Sequence, residues 1–298
     1  KDEDRAHLRA EIATIVDWAE ESVNLCLDFY GKNKELFATF ASFDTPYMGS
    51  VDENGELQLY HGTLRGIDAQ GQIVFDQLPY DQYLTEIAEA VEDWSYMKFP
   101  YFRKLGYPQG CYRVGPLARF NVADSIGTPR AQQFFDVFKR LAGGKPVKGS
   151  LFYHFARLVE MLHSAEMIQI LLEDDAIQSD DLVHRGALRD EGVGIIEAPR
   201  GTLIHHYKID PNGLLKKINL IVATTQNNVG MNKAVESIAH EFIKPGQEIT
   251  EGILNRIEAG IRCYDPCLSC ATHALGQMPL VVDVVRPDGT FIQRLTRG

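Results

Sequence analysis

Across residues 3–30 apolar side chains recur at three- and four-residue steps: Leu8, Ile12, Ile15, Val16, Ala19, Val23 and Leu27. That spacing predicts one helix, with Gly31 as its C-cap. Residues 47–78 alternate instead, around the turn-forming runs Asp52-Glu53-Asn54-Gly55 and Asp68-Ala69-Gln70-Gly71, and predict a small antiparallel meander. His61 inside it reads as a surface or cross-strand residue. Residues 81–98 return to a helical pattern, which Pro100 ends because proline cannot continue the hydrogen-bond ladder. Trp94, Tyr96, Phe99, Tyr101 and Phe102 then cluster, for packing or a subunit contact. Thr128-Pro129 opens a further helix and Gly143-Gly144 closes it. Over 151–173 a long helix carries Phe152, Phe155, Leu158, Val159, Leu162, Ile168 and Leu171 on an apolar stripe. His154, Arg157 and Glu160, joined by His163 and Glu166, form a solvated or ion-paired face. Residues 192–224 read as extended, with a hairpin turn at Asp210-Pro211-Asn212-Gly213. The adjacent His205 and His206 face opposite sides of a strand and so cannot easily share a metal. Helices are expected over 232–243 and 250–261, and a last hairpin turns at Arg286-Pro287-Asp288-Gly289. The fold class is α+β, mainly α, with long packed helices and small antiparallel sheets.

With 298 residues, 45% of them apolar and 24% charged, the chain can bury one large core or two modest ones. A formal net charge of −11 argues against a nucleic-acid partner. No apolar run approaches the roughly 18 residues of a membrane helix. Five cysteines, three of them within residues 263–270, do not form a disulfide framework and point to metal chemistry in a reducing, cytoplasmic compartment. No internal repeat and no dinucleotide fingerprint is present.

The chemistry concentrates at Cys267 and Cys270, a CxxC pair with His273 three residues beyond. The short loop turns both sulfurs to the same side, toward one soft metal. On these residues alone, a structural zinc site or a buried thiol pair stands beside a catalytic metal. Cys111 is isolated and reads as buried and apolar. Arg113 and Arg119 need carboxylate or carbonyl partners. Pro199 and Gly201 constrain the backbone around Arg200, so that its guanidinium can be held rigidly.

Asp265-Pro266-Cys267-Leu268-Ser269-Cys270-Ala271-Thr272-His273 resembles the C-terminal metal-binding motif of nickel–iron hydrogenase large subunits. Two landmarks precede it in that family's order, Cys111-Tyr112-Arg113-Val114-Gly115-Pro116-Leu117-Ala118-Arg119 and Glu197-Ala198-Pro199-Arg200-Gly201. The resemblance covers residues 111–273 and is close to the cytoplasmic, bidirectional NAD-linked group. It implies reversible oxidation of H2, with Cys267 as a terminal nickel ligand and proton acceptor and Cys270 bridging nickel to an iron that carries cyanide and carbon monoxide. It places Arg200 over the bimetallic site and Thr224 in hydroxyl contact with a diatomic ligand. It makes His273 a magnesium ligand and the last residue of the mature chain. Residues 1–273 would then be the C-terminal portion of the large subunit. Residues 274–298 would be an extension that a dedicated endopeptidase removes after accessory proteins insert nickel, and the tail would hold the cysteine segment open until then. The implied partners are NAD(P)-reducing diaphorase subunits and an iron–sulfur small subunit.

One departure stands out. The family completes its nickel site with two further cysteines from an N-terminal RxCGxC motif, which this chain lacks. The expectation is therefore a C-terminal fragment of an unprocessed precursor, without metal and inactive alone. Cys263, Cys267 and Cys270 also spell the CxxxCxxC of radical S-adenosylmethionine enzymes, but too little chain follows for that barrel and Ser269 replaces the usual aromatic. The remaining alternative is a non-catalytic scaffold similar to the quinone-site subunit of respiratory complex I, stapled by zinc.

Overall fold

A helix of 31 residues, α1 (Asp2–Lys32), opens the chain and overruns the expected cap at Gly31 by one position. The computed structural model describes residues 2–95, 97–183, 186–246, 249–272 and 280–297. After the short α2 (Lys34–Thr39), α3 (Tyr83–Glu86) and α4 (Pro116–Val122), the helices α5 (Pro129–Ala142) and α6 (Phe152–Glu173) follow the predicted boundaries closely. α1 lies along α6 and buries Ile12, Val16, Ala19 and Val23. Leu8 and Ile15, expected on the same stripe, are exposed. Phe120, Phe135, Phe138 and Phe152 pack edge-on or tilted in the middle of this core. Burying each such ring contributes about 1.5–3 kcal/mol.

The polar face of α6 is ion-paired at Glu160, which meets Arg119, and is not solvated: Glu160, His163 and Glu166 are buried. Glu166 accepts hydrogen bonds from the backbone N–H groups of Arg130 and Ala131, both at 2.9 Å, and so caps the N-terminus of α5, where a carboxylate also opposes the helix dipole. That frees Thr128, the expected cap, to place its hydroxyl 2.9 Å from His163 Nδ1.

The predicted meander is present as β1 (Tyr47–Val51), β2 (Thr63–Ile67) and β3 (Ile73–Leu78), antiparallel in that order. His61 is exposed against the ring of Tyr60. The helix expected over 81–98 is not. Among the described residues a single 3-10 turn (Tyr80–Gln82) and α3 form there, and β4 (Ile87–Ala90) then pairs with β5 (Phe99–Phe102), Pro100 lying opposite Glu89. Helix propensity loses because pairing buries Ile87, Phe99 and Phe102 together, and a two-stranded sheet leaves proline an unpaired edge. Within the aromatic cluster Phe102 stacks on Tyr112 and Trp94 stays exposed, while Tyr96 lies outside the described residues.

The extended region is a three-stranded sheet, β6 (Glu191–Ala198), β7 (Gly201–Ile209) and β8 (Leu215–Ile221), and not a single hairpin. His206 points inward to Tyr83 and Glu191, and His205 pairs with Tyr207 on the other side, as alternation requires. The chain continues through α7 (Ala223–Gln226), α8 (Asn228–Phe242), α9 (Glu251–Arg262) and α10 (Leu268–Thr272). The predicted final hairpin is β9 (Leu280–Val285) with β10 (Phe291–Arg297), which rests Val284 and Leu295 on the main core. Among the described residues no helix is long and apolar enough to cross a membrane.

Candidate metal centre

α9 delivers the chain to the cysteines through a fixed corner. Tyr264 is buried, with its hydroxyl donating to the carbonyl of Gly230 at 3.2 Å. Asp265 then takes a left-handed backbone (φ +49), which aspartate tolerates, and Pro266 leads into α10. Cys267 and Cys270 lie one helical turn apart with Cα atoms 5.3 Å from each other, and their sulfurs are joined as a disulfide. Both sulfurs thus share a side, as the spacing predicts.

Several side chains fix this corner. Arg157 donates from Nη2 to the carbonyl of Cys263 at 2.9 Å. Arg200 donates from Nε to the carbonyl of Asp265 and sits 3.2 Å from its carboxylate. The hydroxyl of Thr224 accepts from the backbone N–H of Cys267 at 3.0 Å. Arg200 and Thr224 are therefore both brought to the cysteine segment, Arg200 exposed and Thr224 buried.

Thr224 belongs to a run, Thr224-Thr225-Gln226-Asn227-Asn228, that is buried throughout. Five uncharged polar side chains are tolerated inside only if they are hydrogen-bonded, and this run binds the other landmarks. Asn227 Oδ1 accepts from the N–H of Val114 at 2.9 Å, Gln226 Oε1 accepts from Tyr112 at 2.9 Å, and Gln226 Nε2 donates to the carbonyl of Thr202. The three sequence landmarks, far apart in the chain, meet on α7. Their contact is so close that side chains are excluded: a Cβ on Gly115 (φ +94) would lie 2.7 Å from the carbonyl oxygen of Arg200, and one on Gly201 (φ +138) 2.9 Å from the nitrogen of Gly115.

Behind the Pro199–Arg200 turn, Arg119 answers the expected need for partners. Its Nε and Nη2 donate to the two oxygens of Glu160, both at 2.6 Å, and its Nη1 to Glu197 at 2.8 Å and to the carbonyl of Ala198 at 2.9 Å. Thr202 and Ser50 donate to the remaining oxygen of Glu197. Burial works against the charge on Arg119, but Glu160 and Glu197 outweigh it and hold the guanidinium above its ordinary range. Burial pushes the Glu160 carboxyl up, against the pull of Arg119. Arg113 donates to the hydroxyl of Tyr47 at 2.6 Å and to the carbonyl of Lys148 at 3.2 Å, while its buried Nε has no hydrogen-bond partner among the described residues.

The donor set fits half of a soft-metal site. Burial pushes the Cys111 thiol up to about 11 and the Cys263 thiol up to about 12, so neither presents a thiolate near neutral pH. Among the described residues no group of three or more His, Cys, Asp or Glu side chains is arranged for a metal. His273 lies outside the described residues. What sequence reasoning missed is the support: Asp265, Gln226, Asn227 and the partners of Arg119. Its one visible signal was the unbroken polar run after β8.

The nickel-dependent hydrogenase family model matches residues 32–273, and the chain belongs to that family. It is 46% identical over 286 residues to subunit beta of the NAD-reducing hydrogenase HoxS of Cupriavidus necator, covering 95% of this chain and 58% of that one. With the matching subunit of the F420-non-reducing hydrogenase of Methanothermobacter marburgensis the identity is 41% over 300 residues, covering 99% and 62%. A crystal structure of an NAD+-reducing NiFe hydrogenase in the H2-reduced state superposes with a TM-score of 0.87 at 44% identity, covering 92% of this chain and 60% of that one. The Ni-Fe-Se hydrogenase of D. vulgaris Hildenborough, at 22% identity and a TM-score of 0.64, shares the fold. The chain thus spans about three-fifths of the length of these relatives.

Proposed function

We propose that this chain is the part of a hydrogenase large subunit that carries one half of a nickel–iron centre, in an enzyme that interconverts H2 with protons and electrons. The observation that carries the reading is the Cys267–Cys270 pair, sulfurs together, on a backbone held by Arg200, Arg157 and Thr224. Once reduced, the thiolates of Cys267 and Cys270 would hold the nickel–iron centre, whose iron would carry cyanide and carbon monoxide. The centre supplies the redox chemistry that splits H2. Cys267 would take the proton at its sulfur. Arg200, on a rigid turn, brings a permanent charge and planar donors to the same corner, suited to polar diatomic ligands. Thr224 fixes the direction of the peptide that enters Cys267 and would share the contact to those ligands.

Two thiolates do not complete a four-thiolate site, so the remaining donors would come from outside residues 1–298, and this stretch alone would be inactive. In the same reading His273 binds magnesium in the mature subunit, residues 274–298 are removed after nickel insertion, and an iron–sulfur small subunit carries the electrons. NAD(P) would be reached through diaphorase subunits in the cytoplasm, in keeping with what the name of the Cupriavidus relative says of that enzyme.

The test is Cys267→Ser and Cys270→Ser, made separately in the full-length subunit with its partners. Metal analysis and H2-dependent dye reduction should show nickel below a tenth of the unmodified content and activity lower by about a hundredfold or more. Full nickel with full activity in Cys267→Ser would sink the reading. Stoichiometric zinc in the unmodified enzyme, with no nickel, would favour a structural site.

A further inference from the structure

The Pro199–Arg200 turn is two residues long, exposed, and joins β6 to β7, yet the guanidinium it carries must sit within hydrogen-bond reach of Asp265. A long side chain with about 2 kcal/mol of rotamer entropy is held accurately only if its own backbone does not move. Beyond the β6–β7 ladder and the bond from the Glu197 N–H to the carbonyl of Leu59 at 3.0 Å, what holds that backbone comes from α4. Arg119, whose side chain is 1% exposed, grips Glu160 on α6 with two parallel bonds. With the rest of the same guanidinium it reaches Glu197, the carbonyl of Ala198 and, at 3.4 Å, the carbonyl of Pro199. Three consecutive residues before Arg200 are thus tied to one planar, always-charged group. On the far side the carbonyl of Arg200 presses on Gly115, one residue before α4 begins. A small cavity between α6 and the turn is lined by Arg119, Arg157, Glu160, Ser164 and Pro199.

We propose that Arg119 is the positioning residue for Arg200: by fixing residues 197–199 against α6 it sets where the Arg200 guanidinium stands over the cysteine pair. The proposal rests on the hydrogenase reading for the purpose of Arg200, and on geometry alone for the coupling between the two arginines. A lysine at 119 keeps the charge but has a single nitrogen, so it cannot hold Glu160 and the turn at once.

The experiment uses the full-length subunit, metal-free for the first readout and assembled for the second. In the metal-free subunit, hydrogen–deuterium exchange of the peptide covering 197–202 should rise at least tenfold in Arg119→Lys, with α5 and α8 exchanging as before. Unchanged exchange at 197–202 overturns the proposal. In the assembled enzyme Arg119→Lys and Arg200→Lys should each lower kcat for H2 oxidation tenfold or more with KM for H2 little changed. The double variant should be no slower than Arg200→Lys, because one residue acts through the other. Losses that multiply would overturn the proposal and leave Arg119 a structural residue. If Arg119→Lys does not fold, Glu197→Gln loosens the same turn and should give the same exchange and the same lack of additivity. Should Arg200→Lys leave turnover untouched, the hydrogenase reading of Arg200 falls, and the exchange result alone decides the coupling.

Discussion

Cys267 differs from the chain's other cysteines in what surrounds its sulfur. Cys111 and Cys263 sit in apolar surroundings that favour the neutral thiol, and the Cys263 sulfur also points at the carbonyl of Ala259, 3.2 Å away. Cys267 and Cys270 lie at the start of a short helix at the surface of the fold, Cys267 half-buried and Cys270 exposed. Thiolate, not thiol, is the reacting species. After mild reduction, iodoacetamide at about pH 8 should therefore label Cys267 and Cys270 while Cys111 and Cys263 stay unlabelled until denaturant is added. Peptide mass spectrometry reads this directly, and early labelling of Cys263 would contradict the burial argument. The sequence alone could name Cys267 and Cys270, because a CxxC spacing is local. It could say that Arg113 and Arg119 needed partners, because a charge must be satisfied. It could not say that the partners of Arg119 lie on α6 and β6, since that depends on packing that no spacing encodes.

Among elements, the legible ones were those whose periodicity and tertiary surroundings agree. α5 has a threonine and a proline before it, a glycine pair after it and a single apolar face, and its boundaries could be read off. Residues 81–98 carry good helix formers, yet burial of Ile87, Phe99 and Phe102 draws them into a strand pair, a competition that local sequence does not reveal. The contact between the first two landmarks was likewise invisible, although both contain the glycine that permits it. Gly115→Ala tests that contact. The added methyl would meet the carbonyl of Arg200 at 2.7 Å on a backbone at φ +94, so neither a rotamer change nor a small shift relieves it. We expect a loss of about 1–3 kcal/mol in chemical denaturation, with the 197–202 segment displaced. A variant as stable as the unmodified chain would mean that the two landmarks slide past one another freely.

For the molecule as a whole, the buried His163 and the half-buried His154 limit stability in acid. Burial holds His163 below its ordinary value of 6.5, with Glu166 pulling the other way, and burial together with Arg157 does the same for His154. The folded chain thus takes up these protons at lower pH than the unfolded chain. The stability they contribute is complete above about 6.5 and is lost as pH falls from there through their depressed folded values. Each adds up to about 1.4 kcal/mol per pH unit to the slope. Melting temperature should decline between about pH 6.5 and about pH 5, and His163→Gln should flatten that decline. An unchanged slope in the variant would place the acid sensitivity elsewhere.

The meeting of distant segments on α7 has a consequence for the order in which the protein is made. The bonds that place the cysteine pair join positions 43 residues apart at Thr224 and Cys267, 65 at Arg200 and Asp265, and 106 at Arg157 and Cys263. In every one of them the supporting residue leaves the ribosome first and the cysteine segment last. The pair therefore joins supports that have all been synthesised before it. A chain that has misfolded between Arg157 and Thr224 loses the supports of the cysteine segment, so the ability to accept metal would itself report that the rest of the subunit is sound.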